Sequence, residues 1–254
     1  MSRRRSLLLY ALPALVLLLV TVWPLVAGGR TLYLRDVLNT HFGMKWYQAE
    51  AMKAGHLPLV DPTRAGGQAH LGNPNTVPLY PDNVLYFLTD AFWALNAHFW
   101  LHLLLAPVAA YWMARAWGLR REAAWVTAVC YAGSGYFLST LNLYNLVAPA
   151  ALAPALVAAA LRLGEWERRR SAFVALAVVW ALVVFGGDPM TAVVALVLAL
   201  AAAVVRHGRR YPWRWAAGSL AVGTLLSAPQ WVEFLHILGL SFRGYWGFSP
   251  RTAM

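Results

Sequence analysis

Residues 33–83 read YLRDVLNTHFGMKWYQAEAMKAGHLPLVDPTRAGGQAHLGNPNTVPLYPDN. This polar stretch, punctuated by Pro and Gly, stands between tracts of almost unbroken apolar sequence, and it holds Asp36, Glu50, Asp61 and Asp82, four of the ten acidic residues. The contrast decides the fold. Apolar tracts of bilayer-crossing length, with the polar groups gathered into one long connection, describe a bundle of membrane helices carrying a large loop at one face. Chemistry is expected in that loop, because the remainder has few polar groups to do it with.

Outward from the loop, 60% of the chain is hydrophobic and 12% charged, with a mean hydropathy of +0.53. Such a composition argues against a soluble globule. Apolar runs cover about residues 7–27, 92–114, 123–141, 146–163, 172–185, 191–205 and 215–235. A hydrocarbon layer of ~30 Å requires roughly 20 residues of helix, so the runs predict an all-α, polytopic transmembrane helical bundle of about seven spans. The fifth is short and is expected either to tilt little or to begin among the polar residues before it. Residues 1–254 form one transmembrane domain, with an outer loop over residues 29–91. The first run follows Arg3, Arg4 and Arg5. It is longer than a signal-peptide core and lacks an obvious small-residue cleavage site, which favours an uncleaved helix over the alternative of a signal peptide.

The formal net charge is +11, but the basic residues cluster at the ends of apolar runs, a topological pattern that gives no support to a nucleic-acid partner. If the N-terminus is cytoplasmic, 14 of the 21 Lys and Arg residues fall on the cytoplasmic side. The positive-inside rule then turns residues 33–83, 142–145, 186–189 and the C-terminal stretch outward. The expected location is a bacterial inner membrane. Cys130 is the single cysteine, so no internal disulfide forms, and its apolar run suggests a small core residue.

Inside the loop, residues 40–55 have helical composition and mix Phe42, Trp46, Tyr47 and Met52 with Lys45, Gln48, Glu50 and Lys53. A short interfacial helix fits. From residue 58 to 81 the recurring Pro, Gly and Asn favour turns. After the last apolar run FRGYWGFSPRTAM trails without a closing element, and further C-terminal helices of the same protein are expected to pack there.

Asp36 follows Arg35 at the outer end of the first span, where a carboxylate suits a general base. An interfacial Arg–Asp pair that anchors the helix is the plainer alternative. Asp188, in FGGDPMT before Pro189, reads as an N-cap, and also as a second catalytic or metal-binding carboxylate. His98 and His102, at i and i+4, suit interhelical hydrogen bonding better than a metal. No HExxH or Cys/His array is present, so a divalent metal has no motif to support it and the cofactor stays unassigned. GxxxxGK[ST], GxGxxG and GxSxG are absent from the sequence.

The segments RDVLNTHF, AGHLPLVDPTRAGGQAHLGNPNTVPLYPDNVLYF, SGYFLSTLNLYN, FGGDPMTA and SAPQWVEFLHILGLSFRG together resemble the bacterial YfhO-type membrane proteins, across most of residues 32–244. That family belongs to the GT-C class of glycosyltransferases, which take sugar from a polyprenyl-phosphate donor at the outer membrane face. The resemblance implies a GT-C-like fold, membrane lipids and a polyprenyl-phosphate sugar as partners, and Asp36 as the catalytic base of the first outer loop. Asp188 stands where the family often has a histidine within GGHP, a departure from the pattern. Ser241 and Arg243 match an S-x-R after the seventh span, with Arg243 suited to a phosphate. Arg35, His41, Arg64, Asn73 and Tyr80 complete the expected substrate-binding set. Rival functions are a lipid or lipid-linked-sugar flippase, which would carry ionisable groups at the bilayer midplane, and a non-catalytic membrane assembly protein.

Overall fold

A computed structural model describes residues 36–240, together with Val20 and Thr31. Apart from Val20, the first apolar run lies outside the described residues, as do Arg35, Ser241 and Arg243. The continuous described part begins, after Asp36, with a π-helical turn, Val37–Phe42, that runs directly into α1, Gly43–Lys53. A two-residue antiparallel ladder follows, β1 (Val60–Asp61) on β2 (Gln68–Ala69), with Val60 opposite Ala69. A 3₁₀ turn, Pro81–Val84, leads to α2 (Leu85–Leu88). The remaining helices are α3 (Ala91–Trp117), α4 (Arg121–Ala132), α5 (Gly135–Thr140), α6 (Tyr144–Leu163), α7 (Arg169–Phe185), α8 (Pro189–His207), α9 (Trp213–Leu226) and α10 (Ala228–Leu240).

The all-α reading holds. Among the described residues, three helices are long and apolar enough to cross a membrane: α3, α6, and α8 with the 3₁₀ turn that extends it to Arg210. Two of the expected spans are broken. Residues 123–141 divide into α4 and α5 because Ser134 caps a new helix, its Oγ accepting from the Phe137 N–H at 3.2 Å. Residues 215–235 divide at Ser227, where Pro229 has no N–H to return to the carbonyl of residue 225 and the Ser227 hydroxyl bonds back to the Gly223 carbonyl at 3.0 Å. The run beginning at residue 172 starts earlier, at Arg169, and so gains three residues.

At the centre is α6, which packs on α3, α7 and α8. Small residues make this possible: Ala159 and Ala160 of α6 face Ala195, Ala199 and Ala203 of α8, all buried in one cluster, so the backbones approach closely. Pro154 cannot donate to the Ala150 carbonyl, and the Tyr131 hydroxyl of α4 takes that role at 2.6 Å. The opposite face of α8 shows Met190, Val193, Val194, Val197 and Leu198, each more than half exposed. An apolar surface of that extent on a helix of spanning length is suited to lipid. Cys130, expected in the core, is exposed. An apolar run serves either surface in a membrane, so hydropathy could not distinguish them.

The bundle has two unlike ends. At one, Arg162 reaches the Arg115 carbonyl at 3.4 Å, the Arg206 guanidinium lies 3.8 Å from where a Gly118 side chain would begin, and His207 donates to the Leu161 carbonyl at 2.9 Å. The Arg-rich turns therefore share one end. The loop layer covers the other: Gly187 is pressed against Pro74 and Val77 at a positive φ of 92°, and Gln230 of α10 donates to the Leu71 carbonyl at 3.2 Å.

Candidate functional site

The loop layer is held to the bundle by a buried polar network centred on Asn83. Its amide donates to the carbonyls of Val77 at 2.7 Å and Tyr80 at 2.8 Å. Its Oδ1 accepts from Lys45 Nζ at 2.7 Å and Gln48 Nε2 at 2.9 Å. Both donors and both lone pairs of the amide are in use. Lys45 Nζ also donates to Gln48 Oε1 at 3.1 Å and to the Val77 carbonyl at 3.3 Å, and lies 4.5 Å from the Tyr144 ring centroid. Val77 takes a φ of 48°, costly for a β-branched residue, and the bonds from Lys45 and Asn83 hold its carbonyl in place.

This network defines the inner face of α1, the helix expected within residues 40–55. Lys45 and Gln48 are fully buried beside Met44 and Ala49, whereas Trp46, 56% exposed, lies on the outer side with Glu50 and Lys53. Its buried polar side chains meet Asn83 in the turn at Pro81–Val84, while Ala49 packs with Tyr86, Ala91 and Ala94.

Beneath Asn83 lies a second cluster. His98 Nδ1 is 2.6 Å from Asp82 Oδ2 and its Nε2 is 3.1 Å from the Tyr144 carbonyl. His102 Nδ1 is 2.7 Å from the His98 carbonyl, and its Nε2 is 2.7 Å from the Tyr80 hydroxyl. The two histidines thus make hydrogen bonds, as their spacing suggested. Burial pushes the Lys45 ammonium down to about 7, with the Asp82 charge partly opposing. Burial likewise lowers His41 to about 4, helped by Lys45. Asp82 is pushed upward by burial, yet His98, His102 and Lys45 hold it below the usual carboxylate range.

The remaining expected residues fall around these clusters. His41 is buried, with Nδ1 donating to the Asn75 carbonyl at 3.1 Å and its ring centroid 6.0 Å from that of Tyr144. Asp36 precedes the π-helical turn, makes no side-chain cap, and is near enough to act on the charge of His41. Arg64 passes over Gly43 and donates to the Thr40 carbonyl at 3.0 Å. Asn73 accepts from the Asn75 N–H at 3.0 Å and shapes the turn. Tyr80, 5% exposed, faces inward to His102. Asp188 caps α8, Oδ2 accepting from the Thr191 N–H at 2.7 Å. The segment after Asp36 and the turn holding Asp188 therefore dock on one strap, residues 74–77, through His41 and Gly187 respectively.

Beside that turn runs an apolar groove of about 170 Å³ between α7, α8 and α10, lined by Trp180, Val184, Pro189, Val193, Trp231 and Phe234. Lys45, Gln48, Asp82, Asn83 and Tyr144 are not among the site residues expected from the sequence. The signal available was the YPDN turn, whose Asn and Asp precede α3 by one short helix. Comparison with known protein families, characterised proteins and solved structures finds no match to this chain.

Proposed function

We propose that the chain is an integral membrane glycosyltransferase of the GT-C type, which moves a sugar from a polyprenyl-phosphate donor to a cell-envelope acceptor at the outer membrane face. The observation that carries the reading is the meeting of an apolar groove with a polar loop layer at the turn holding Asp188. A lipid-linked donor requires this combination: a surface for the prenyl chain contiguous with polar groups for the phosphate and sugar. Asp36, one strap away, is the proposed base for the acceptor hydroxyl. Arg64 lies near it, with Arg243 proposed as the phosphate clamp because a guanidinium binds phosphate through forked hydrogen bonds. The loop layer faces outward in this reading, because the Arg-rich turns collect at the opposite end.

The test is sugar transfer by membranes that contain the product of the full reading frame, supplied with a radiolabelled polyprenyl-phosphate sugar. Transfer above vector-only membranes is expected. Transport of the intact lipid-linked sugar across the bilayer without glycosidic cleavage would instead establish the flippase.

A further inference from the structure

Asp82, His98 and His102 each turn a ligand atom into one space, with the three atoms within 4.8 Å of one another. The surrounding hydrogen bonds fix which nitrogen of each ring faces it. A carbonyl only accepts, so His98 Nε2, against the Tyr144 carbonyl, carries a proton and Nδ1 is the atom directed at Asp82. His102 Nδ1 carries a proton for the same reason, against the His98 carbonyl, and Nε2 faces inward. Each imidazole thus gives its outer N–H to the main chain and presents the other nitrogen to the cluster. Metal-binding histidines are oriented and held in one tautomer in this way.

A second observation points to a ligand. The Asp82 side chain is only 6% exposed, and its Oδ1 is buried with no hydrogen-bond partner among the described residues. A buried carboxylate oxygen left unbonded is unfavourable, and a cation would satisfy it.

We propose that Asp82, His98 and His102 bind one divalent transition ion of the zinc class, which fastens the Pro81–Val84 turn to α3. Two imidazole nitrogens and a carboxylate oxygen suit zinc better than magnesium or calcium, which take oxygen ligands. The Tyr80 hydroxyl beside His102 Nε2 is the nearest fourth donor. Both histidines are fully buried, so no coordination position opens to substrate and the role is structural. Binding releases the proton between His98 and Asp82. It also moves His98 Nδ1 and Asp82 Oδ2, now 2.6 Å apart, to about 3.3 Å, as tetrahedral bonds of about 2.0–2.1 Å require. The site stands independently of the glycosyltransferase reading.

The experiment strips detergent-purified protein with a chelator, equilibrates it with zinc, desalts it and measures bound metal by mass spectrometry. One zinc per chain is expected, together with a higher unfolding midpoint than the stripped protein. His102→Gln and Asp82→Asn should each weaken zinc affinity at least tenfold, and His207→Gln, at the other end of the bundle, should not. X-ray absorption on the zinc-loaded wild type needs no variant and should show imidazole and oxygen scatterers without sulfur. A wild type that retains no zinc, a sulfur shell, or undiminished affinity in both ligand variants would overturn the site.

Discussion

Lys45 donates to Asn83 at 2.7 Å, with both side chains buried. This bond joins the helix after Asp36 to the turn before α3, across 38 residues of chain. Because Asn83 also holds the carbonyls of Val77 and Tyr80, one amide fixes the positions of the strap, the Tyr80 hydroxyl and Asp82 together.

Asn83→Ala removes these three hydrogen bonds and the one from Gln48, and leaves a buried ammonium without its shortest partner. Breaking one side of a buried polar pair costs about 2–5 kcal/mol. The unfolding midpoint in detergent should fall clearly. Asn83→Asp can still accept from Lys45 but cannot donate to the two carbonyls, so it should recover only part of the loss.

Stability should depend on pH through Lys45. Its folded-state value lies near 7, below the ordinary 10.5, so between those values the unfolded chain binds more protons and stability rises with pH. The groups facing it are Asp82 from the turn, Tyr86 from α2, Tyr144 from α6 and His41. Tyr86 is itself pushed up by burial, which keeps it neutral in this window. Unfolding midpoints measured from pH 6.5 to 9.5, an interval chosen to lie at roughly these values, should climb. Lys45→Met should flatten the climb, and a wild-type curve that is already flat would contradict a depressed Lys45.

The groove gives a third test. Val193 lines it and is 57% exposed, so Val193→Trp can enter the groove without breaking the Ala195, Ala199 and Ala203 seam. If the prenyl chain lies there, the variant should raise KM for a long-chain donor by about tenfold or less, the scale of one or two lost methylene contacts. A short-chain donor should be affected little. Equal effects on both donors would remove the chain from the groove.

Hydropathy located three of the expected spans, because a span needs only length and apolar composition. The helices α3, α6 and α8 sit within a few residues of their expected runs. The breaks at Ser134 and Ser227 were visible as Gly133-Ser134 and Ser227-Ala228-Pro229, but a hydropathy window averages over such short signals. Asp188 was legible because an N-cap is local: Asp before Pro. The Lys45–Asn83 and Asp82–His98 pairs were not, since each joins residues far apart in the chain. No spacing rule places the polar face of a short helix against a polar turn instead of water.

The last prediction concerns the two proposed carboxylates. Asp36 makes no cap hydrogen bond, whereas Asp188 is committed to the Thr191 N–H, so the same substitution should affect them differently. Asp36→Asn keeps the size of the side chain but removes the proton acceptor, and losing a general base costs about 10²–10⁴-fold in rate. If Asp36 only anchors the chain through an exposed pair with Arg35, the change is worth about 0–1 kcal/mol and activity stays near normal. Asp188→Asn preserves the cap, because Asn serves nearly as well as Asp at that position, and a capping Asp188 should therefore tolerate it. The measurement is sugar transfer per mole of correctly inserted full-length protein for both variants. Loss at Asp36 with retention at Asp188 would leave Asp36 as the single catalytic carboxylate, and loss at both would add chemistry to the cap. Full turnover by the Asp36→Asn protein would remove the base from the mechanism.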